Sequence, residues 1–148
     1  MNLNNLLNIA TPLTAGSINF DVLLPSMNNS GKTYYDALVN QNVLNQIGIY
    51  VILDPLEDCV IYVGKGGTLK ADGTYKNQKV NGRLKAPRGN FNNTFEYFKQ
   101  FMNQNNYQTL HFYIFYSNQN IPPAYLEAIV LYNFYNINNC LPILNNEF

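Results

Sequence analysis

Two strand-like runs near the middle of the chain constrain its fold more than any other feature. Residues 47–53 and 59–63 are rich in β-branched and aromatic side chains, and the segment between them, DPLED, contains a proline and three acids. Two such runs on either side of a short polar turn predict an antiparallel hairpin. The hairpin is therefore the first element that any architecture of this chain must include.

The position of the turn decides which side chains meet across the hairpin. A turn over residues 54–58 pairs Tyr50 directly with Tyr62 on one face, and Ile61 and Val63 then point to the other face. The two phenols either pack together or, with Lys65 just past the second strand, form an acid–base group. The pairing alone leaves both interpretations open.

The elements that follow the hairpin suggest one sheet with helices on its faces. A short basic helix is predicted near residues 80–85, and Pro87 and Gly89 stop it. The longer elements are a helix over residues 94–104 capped by Asn93, a buried strand over 110–116, and a helix from Pro123 to about residue 137. This order predicts a small α/β or α+β domain.

The first part of the chain is interpreted as an addition to that domain. Residues 1–45 form an N-terminal extension with a strand over 18–24 and a helix over 33–44, and residues 46–148 form the domain proper. The segment SMNNSGKT at residues 26–33 resembles a phosphate-binding loop, but a serine stands where the first glycine belongs. A turn before a helix explains this segment better than nucleotide binding does.

Positive charge is concentrated in one part of a chain whose net charge is zero. Nine basic and nine acidic residues cancel, yet seven of the basic residues lie within 24 positions whose only acid is Asp72, so this basic segment has a net charge of +6. Its basic residues are Lys65, Lys70, Lys76, Lys79, Arg83, Lys85 and Arg88. A neutral protein with such a segment can bind a polyanion.

Other features exclude several classes of protein. Cys59 and Cys140 are too few and too far apart for a zinc cluster or a disulfide framework, and they indicate a reducing, cytoplasmic location. The first residues lack a basic n-region, which argues against a secretory signal. No apolar run approaches the ~20 residues of a membrane span.

A single carboxylate lies in the most apolar predicted helix. Glu127, within YLEAIVLYNF, is the only acid between Ser117 and Asn145. It is either a first-turn residue favoured by the helix dipole or a ligand for a hard metal ion, and spacing alone does not decide between them. His111, a lone histidine on an aromatic strand, is expected to pack rather than to act as a base.

Five short motifs, taken in order, resemble the GIY-YIG nuclease domain. They are Gly48-Ile49-Tyr50, Tyr62-Val63-Gly64-Lys65, Gly82-Arg83-Leu84, Glu127-Ala128 and Pro142-Ile143-Leu144-Asn145. The resemblance covers about residues 47–146. It implies an α+β fold with a small three-stranded antiparallel sheet flanked by helices. It also implies a Mg²⁺-dependent endonuclease that hydrolyses DNA phosphodiester bonds, with Mn²⁺ able to substitute.

The resemblance assigns a role to each motif residue. Tyr50, or a water that it orients, acts as general base, Tyr62 and Lys65 support it, Arg83 holds the scissile phosphate, and Glu127 binds the metal ion at the leaving 3′ oxygen. Asn145 positions Glu127 or the phosphate, and Asn138 and Asn139 are rivals for this role. The other basic residues, Lys70, Lys76, Lys79, Lys85 and Arg88, are expected to contact DNA.

One position departs from the pattern of the resembled family. Many members have His or Tyr four residues after the arginine, where this chain has Pro87, so no base comes from there and the helix that carries Arg83 must be short. Arg88 is the candidate replacement as a phosphate contact. The compact size favours a restriction-type enzyme acting as a homodimer. The alternatives are a repair or mobile-element nuclease with a targeting partner, and a non-catalytic nucleic-acid-binding module.

Overall fold

Among the residues that the structure describes, the sheet is antiparallel and has four strands, one more than the resemblance implies. The computed structural model describes residues 1–23, 46–54, 56–76, 79–118 and 120–146. The strands are β1 (Thr14–Leu23), β2 (Gly48–Asp54), β3 (Cys59–Gly66) and β4 (Thr109–Ser117), in the order β1-β4-β2-β3 across the sheet. The predicted α+β class is therefore confirmed.

The additional strand comes from the N-terminal extension. β1 pairs with β4 from Thr14 opposite Ser117 to Leu23 opposite Thr109. Without β1, β4 would leave a long apolar strand edge unpaired, which favours aggregation. The strand predicted over residues 18–24 thus exists, begins earlier, and completes the sheet on that side. The helix predicted over 33–44 and the SMNNSGKT segment lie outside the described residues.

Four α-helices pack on the sheet within the described ranges. They are α1 (Leu3–Ala10), α2 (Val80–Lys85), α3 (Thr94–Asn105) and α4 (Pro123–Asn138). The last three confirm the predicted helices, whereas α1 was not predicted. Its signals are nonetheless in the sequence, because the Asn2 side chain caps the helix and Leu6 and Ala10 lie one turn apart on its buried side. None of these helices is long and apolar enough to cross a bilayer.

The central strand β2 supplies side chains to a hydrophobic cluster on each face of the sheet. Tyr50 and Ile52 join a cluster with α2 and α3, while Ile49, Val51 and Leu53 join a second cluster with α1 and α4. Every one of these five side chains is buried. Burial on both faces explains why this strand is a continuous apolar run rather than an alternating one.

The predicted register of the β2–β3 hairpin is wrong. The observed pairs are Tyr50 with Gly64, Ile52 with Tyr62 and Leu53 with Val60. Ile61 is therefore the extra residue of a β-bulge, and it lies with Tyr62 on the face that holds α2, not on the opposite face. Tyr50 and Tyr62 share a face as predicted, but they are diagonal neighbours. A pattern of period two contains no sign of such a bulge.

One buried tyrosine offers a test of the packing. The hydroxyl of Tyr116 has no hydrogen-bond partner among the described residues, and burial raises the pKa of this phenol to about 12. Because Tyr116→Phe removes an unsatisfied buried group, we expect it to raise the free energy of unfolding by about 1 kcal/mol at pH 7, measured by urea denaturation.

The same substitution has an expected pH dependence. The phenol ionises near pH 10 in an unfolded chain, whereas in the folded protein its pKa is about 12. Because the phenol ionises first in the unfolded chain, its ionisation leaves the wild-type free energy of unfolding unchanged below about pH 10 and lowers it as the pH rises toward about 12. The advantage of Tyr116→Phe over wild type should therefore grow between these values. A variant that is less stable than wild type at pH 7 would contradict the assignment.

Candidate active site

A cleft lies beside β3, one of the two edge strands of the described sheet, between α2 on one face and α4 on the other. Two adjoining cavities of about 140 and 530 Å³ form it, and Tyr62, Lys65, Arg83 and Glu127 line both of them. Asn145 lines the larger cavity. Five of the six residues to which the resemblance assigns roles are thus brought to one cleft from distant positions in the chain.

Strand β3 contributes two of these residues to opposite faces. Tyr62 belongs to the cluster beneath α2. Lys65 lies two residues after Val63 and therefore on the same face as Val63, which belongs to the cluster beneath α4. Because side chains alternate along a strand, an edge strand can present one residue to each side of the sheet. The cleft is therefore reached by side chains from both layers of helices.

The two tyrosines of the hairpin occupy different depths. Their ring centroids are 5.7 Å apart, but Tyr50 is only 1% exposed and lines neither cavity, whereas Tyr62 lines both. The Tyr50 ring lies over Gly64, where an added Cβ would be 2.5 Å from its Cζ. A glycine opposite the tyrosine is therefore required for this arrangement, in which an aromatic ring covers a glycine of an edge strand.

An ion pair joins β3 to α4 inside the cleft. The Lys65 ammonium donates a hydrogen bond to Glu127 Oε2. The side chains are 39% and 18% exposed, respectively, so the carboxylate is the more buried partner. Glu127 is thus neither an isolated surface acid nor an unpaired buried one, and its charge is balanced by the residue predicted to act beside it.

Arg83 reaches the cleft from a helix that ends almost at once. α2 spans six residues, as the position of Pro87 predicts, and the side chain of Arg83 is exposed in its last turn. The hydroxyl of Thr94 donates to the carbonyl of Ala86 at 3.0 Å and so ties the start of α3 to the end of α2. The short helix is therefore held in place although it has little helical stability of its own.

Arg88 lies between two aromatic rings at the wall of the larger cavity. Its Cζ is 4.2 Å from the ring centroid of Tyr62 and 4.4 Å from that of Tyr97, and its Nη2 donates to the carbonyl of Leu144 at 3.4 Å. Burial lowers the pKa of the guanidinium. The hydrogen bond with Tyr62 and the nearby phenols together raise this pKa by more than burial lowers it, so the net shift is upward. Arg88 is accordingly a permanently charged group fixed in the cleft.

Of the three candidate asparagines, only Asn145 lies at the cleft among the residues described. Its Oδ1 accepts from the Val63 N–H and its Nδ2 donates to the Val63 carbonyl, both at 2.9 Å. The amide therefore clamps the end of the chain onto β3 rather than contacting Glu127. Asn138 instead accepts from the N-terminal amine at 3.2 Å, and Asn139 caps the end of α4 in a left-handed conformation.

None of the other predicted DNA contacts lines either cavity. Lys70 makes an exposed ion pair with Asp72 at 3.6 Å, in a turn that follows β3. Lys76 is exposed, Lys79 immediately precedes α2, and Lys85 ends it. His111 stacks on Tyr113 in β4 and lines neither cavity, in agreement with the prediction that it packs.

The donor set at the cleft fits a hard cation that is completed by other ligands. Within the described ranges, no three His, Cys, Asp or Glu side chains cluster to hold a metal ion. Of the described residues that line the cavities, Glu127 is the one with a carboxylate. Mg²⁺ is commonly bound by one or two carboxylates with water and substrate phosphate as its remaining ligands, whereas zinc needs three or four protein ligands. The residues present are therefore compatible with Mg²⁺.

Tyr97 and Leu144 belong to the cleft but were not predicted from the sequence. Both residues contact Arg88: the Tyr97 ring lies beside its guanidinium, and the main-chain carbonyl of Leu144 accepts a hydrogen bond from it. Neither residue type is unusual where it stands, so the sequence offers no signal for this contact.

No protein-family model matches the chain, and no curated protein or solved structure is significantly similar to it. Its function is therefore inferred from the chemistry of the cleft.

Proposed function

We propose that this protein is a Mg²⁺-dependent endonuclease of the GIY-YIG type that hydrolyses DNA phosphodiester bonds in the cleft. The observation that carries the proposal is the convergence of a phenol, an ammonium, a guanidinium and a carboxylate, from Tyr62, Lys65, Arg83 and Glu127, on one cleft. Phosphodiester hydrolysis needs a base for water, a cation at the non-bridging oxygens and a Lewis acid at the leaving oxygen. These four side chains can meet all three needs.

The exposed guanidinium of Arg83 is proposed to hold the scissile phosphate. It has no ion-pair partner among the described residues, and a planar guanidinium can donate two parallel hydrogen bonds to phosphate. In the transition state, where negative charge on the phosphate oxygens increases, these bonds become stronger. Arg83 would thus have two roles, binding the substrate and stabilising the transition state.

The phenol nearest to the attacking water is proposed to be Tyr62, not Tyr50. Tyr62 forms part of the wall of both cavities, while Tyr50 is buried beneath it and touches its ring. Tyr62 would orient the water and, in its phenolate form, accept the proton of that water to become a neutral phenol, directly or through a second water. Tyr50 and Gly64 would fix the Tyr62 ring from below.

Glu127 is proposed to hold the Mg²⁺ ion, which when bound supplies Lewis-acid stabilisation to the leaving 3′ oxygen. Lys65 is proposed to move its hydrogen bond from Glu127 toward the phosphate or the water when substrate enters. An ammonium on a flexible stem is suited to such an exchange of partners.

The finer description rests on the resemblance and on the distribution of charge. The basic segment, of which Lys65, Arg83 and Arg88 line the cleft, favours a polyanionic substrate, and DNA is the one we propose. A restriction-type enzyme acting as a homodimer in the cytoplasm is the preferred form. A nuclease that needs a targeting partner and a non-catalytic DNA-binding module are the alternatives.

Plasmid cleavage tests the proposal. Wild type should convert supercoiled plasmid to linear DNA with Mg²⁺, and also with Mn²⁺. Arg83→Ala should cut about 10²–10³ times more slowly, because it loses a donor to the charge that develops on the phosphate. Lys99→Ala, which removes an exposed positive charge on α3 outside the cleft, is the matched control and should cut at the wild-type rate.

The pattern of products separates the alternatives. One discrete set of fragments supports a restriction-type enzyme, whereas scattered cutting indicates dependence on a targeting partner. DNA binding without cutting in either metal would establish the binding module instead. A protein that is monomeric at micromolar concentration and only nicks the plasmid would overturn the homodimer.

A further inference from the structure

The environment of Arg88 is unusual for a surface arginine. Tyr62 and Tyr97 cover its guanidinium at 4.2 and 4.4 Å, and Phe98 lies 5.7 Å away. The backbone of the residue is also fixed, because Arg88 and Phe91 exchange N–H to carbonyl hydrogen bonds of 3.2 and 3.0 Å across a tight turn. Both the main chain and the side chain of Arg88 are therefore held in one position.

This position determines which part of the guanidinium is available. Its Cζ lies over the rings of Tyr62 and Tyr97, whereas its N–H donors radiate from Cζ in the plane of the group. One of these donors is used by the Leu144 carbonyl. A second donor is used by the Tyr62 hydroxyl, and the remaining donors belong to a group that lines the larger cavity with Arg83 and Glu127.

The charges of that cavity indicate the kind of ligand. Lys65, Arg83 and Arg88 contribute three positive charges to its walls and Glu127 contributes one negative charge, which gives the walls a net charge of +2. A cavity of about 530 Å³ with this charge has room for more than one phosphate group. The edge of a fixed guanidinium binds best an anion, such as phosphate, that accepts two parallel hydrogen bonds on two of its oxygens.

We propose that Arg88 is a preorganised clamp for a second DNA phosphate, adjacent to the scissile phosphate on Arg83, and that this clamp also holds Tyr62 in position. The inference rests on the proposed function and adds a defined substrate contact to it. Because the side chain is already ordered, binding through Arg88 loses less conformational entropy than binding through a mobile lysine.

The test compares DNA affinities of variants that cannot cut. In a Glu127→Gln background, fluorescence anisotropy of a labelled short duplex measures the Kd without cleavage. Arg88→Ala should weaken binding by about 10-fold or more, from the loss of charge-assisted hydrogen bonds. Arg88→Lys should weaken it nearly as much, because an ammonium keeps the charge but neither stacks between the rings nor binds in a bidentate manner.

Two substitutions of Tyr97 isolate the role of stacking. Tyr97→Leu should weaken binding several-fold although it removes no charge, since Arg88 loses one of its three aromatic neighbours. Tyr97→Phe retains the ring and should bind like the parent. Lys99→Ala is the matched control for loss of an exposed positive charge outside the cleft. Far-UV circular dichroism and thermal melting verify that each variant is folded.

The outcomes separate this inference from the proposed function. Parent-like affinity of Arg88→Lys would show that charge alone matters and would overturn the preorganised clamp, and parent-like affinity of Arg88→Ala would overturn any contact. In both cases, the nuclease proposal survives. Failure of the parent itself to bind DNA would overturn the proposed function and the clamp together.

Discussion

Glu127→Gln is expected to abolish DNA cleavage while the protein remains folded and still binds DNA. Glutamine has nearly the same shape, but its neutral amide is a poor ligand for Mg²⁺, so we expect a loss of at least about 10³-fold in the cleavage rate. The substitution also weakens the contact with Lys65. That ion pair is partly exposed, with side chains 39% and 18% accessible. Such pairs typically contribute no more than about 1 kcal/mol.

Single-turnover plasmid cleavage, thermal melting and anisotropy with a labelled duplex measure these three properties separately. Glu57→Gln is the matched control, because Glu57 is an exposed acid in the turn between β2 and β3 and lines neither cavity. It should cut at the wild-type rate. Undiminished cutting by Glu127→Gln would show that Glu127 takes no part in the reaction.

Among the glycines whose surroundings the structure describes, Gly48 is the one at which an added methyl group is expected to cost the most stability. A Cβ at this position would lie 2.0 Å from the carbonyl oxygen of Phe115, which belongs to the neighbouring strand β4. The obstacle is main chain in the middle of the sheet, so no side-chain rotation can relieve the clash. We expect the free energy of unfolding to fall by about 3 kcal/mol or more, measured by urea denaturation.

Gly73→Ala separates this clash from the general cost of replacing glycine. Gly73 has a φ of +80°, but no heavy atom lies within 4 Å of an added Cβ. At Gly73, only the strained backbone conformation should lower the free energy of unfolding, by about 1–2 kcal/mol. Equal losses for the two variants would mean that the clash at Gly48 is relieved by movement of the strands.

Local signals in the sequence predicted most of the elements around the cleft. Asn93 accepts a hydrogen bond from the Glu96 N–H and starts α3 where the cap was expected, and Pro123 stands in the first turn of α4. These effects depend on neighbours three or four residues away, so spacing reveals them. The convergence of Lys65, Arg83 and Glu127 was expected only because their motifs resemble a known domain.

Features that depend on distant segments were not predictable in this way. The bulge at Ile61 arises in the β2–β3 ladder and reverses the face of that residue, although the local pattern is unremarkable. The stack of Arg88 between Tyr62 and Tyr97 joins side chains from a loop, a strand and a helix. Likewise, the pairing of Asn145 with Val63 spans 82 positions and has no local signature.

The ion pair between Lys65 and Glu127 has a practical consequence for anyone who prepares the protein. Because Lys65 neutralises the Glu127 carboxylate, we expect the fold to assemble without a divalent ion, unlike small metalloproteins that denature when a chelator strips them. Purification in EDTA should therefore yield native protein. Under the proposed function, such a preparation does not cut DNA during storage, and the addition of magnesium starts cleavage.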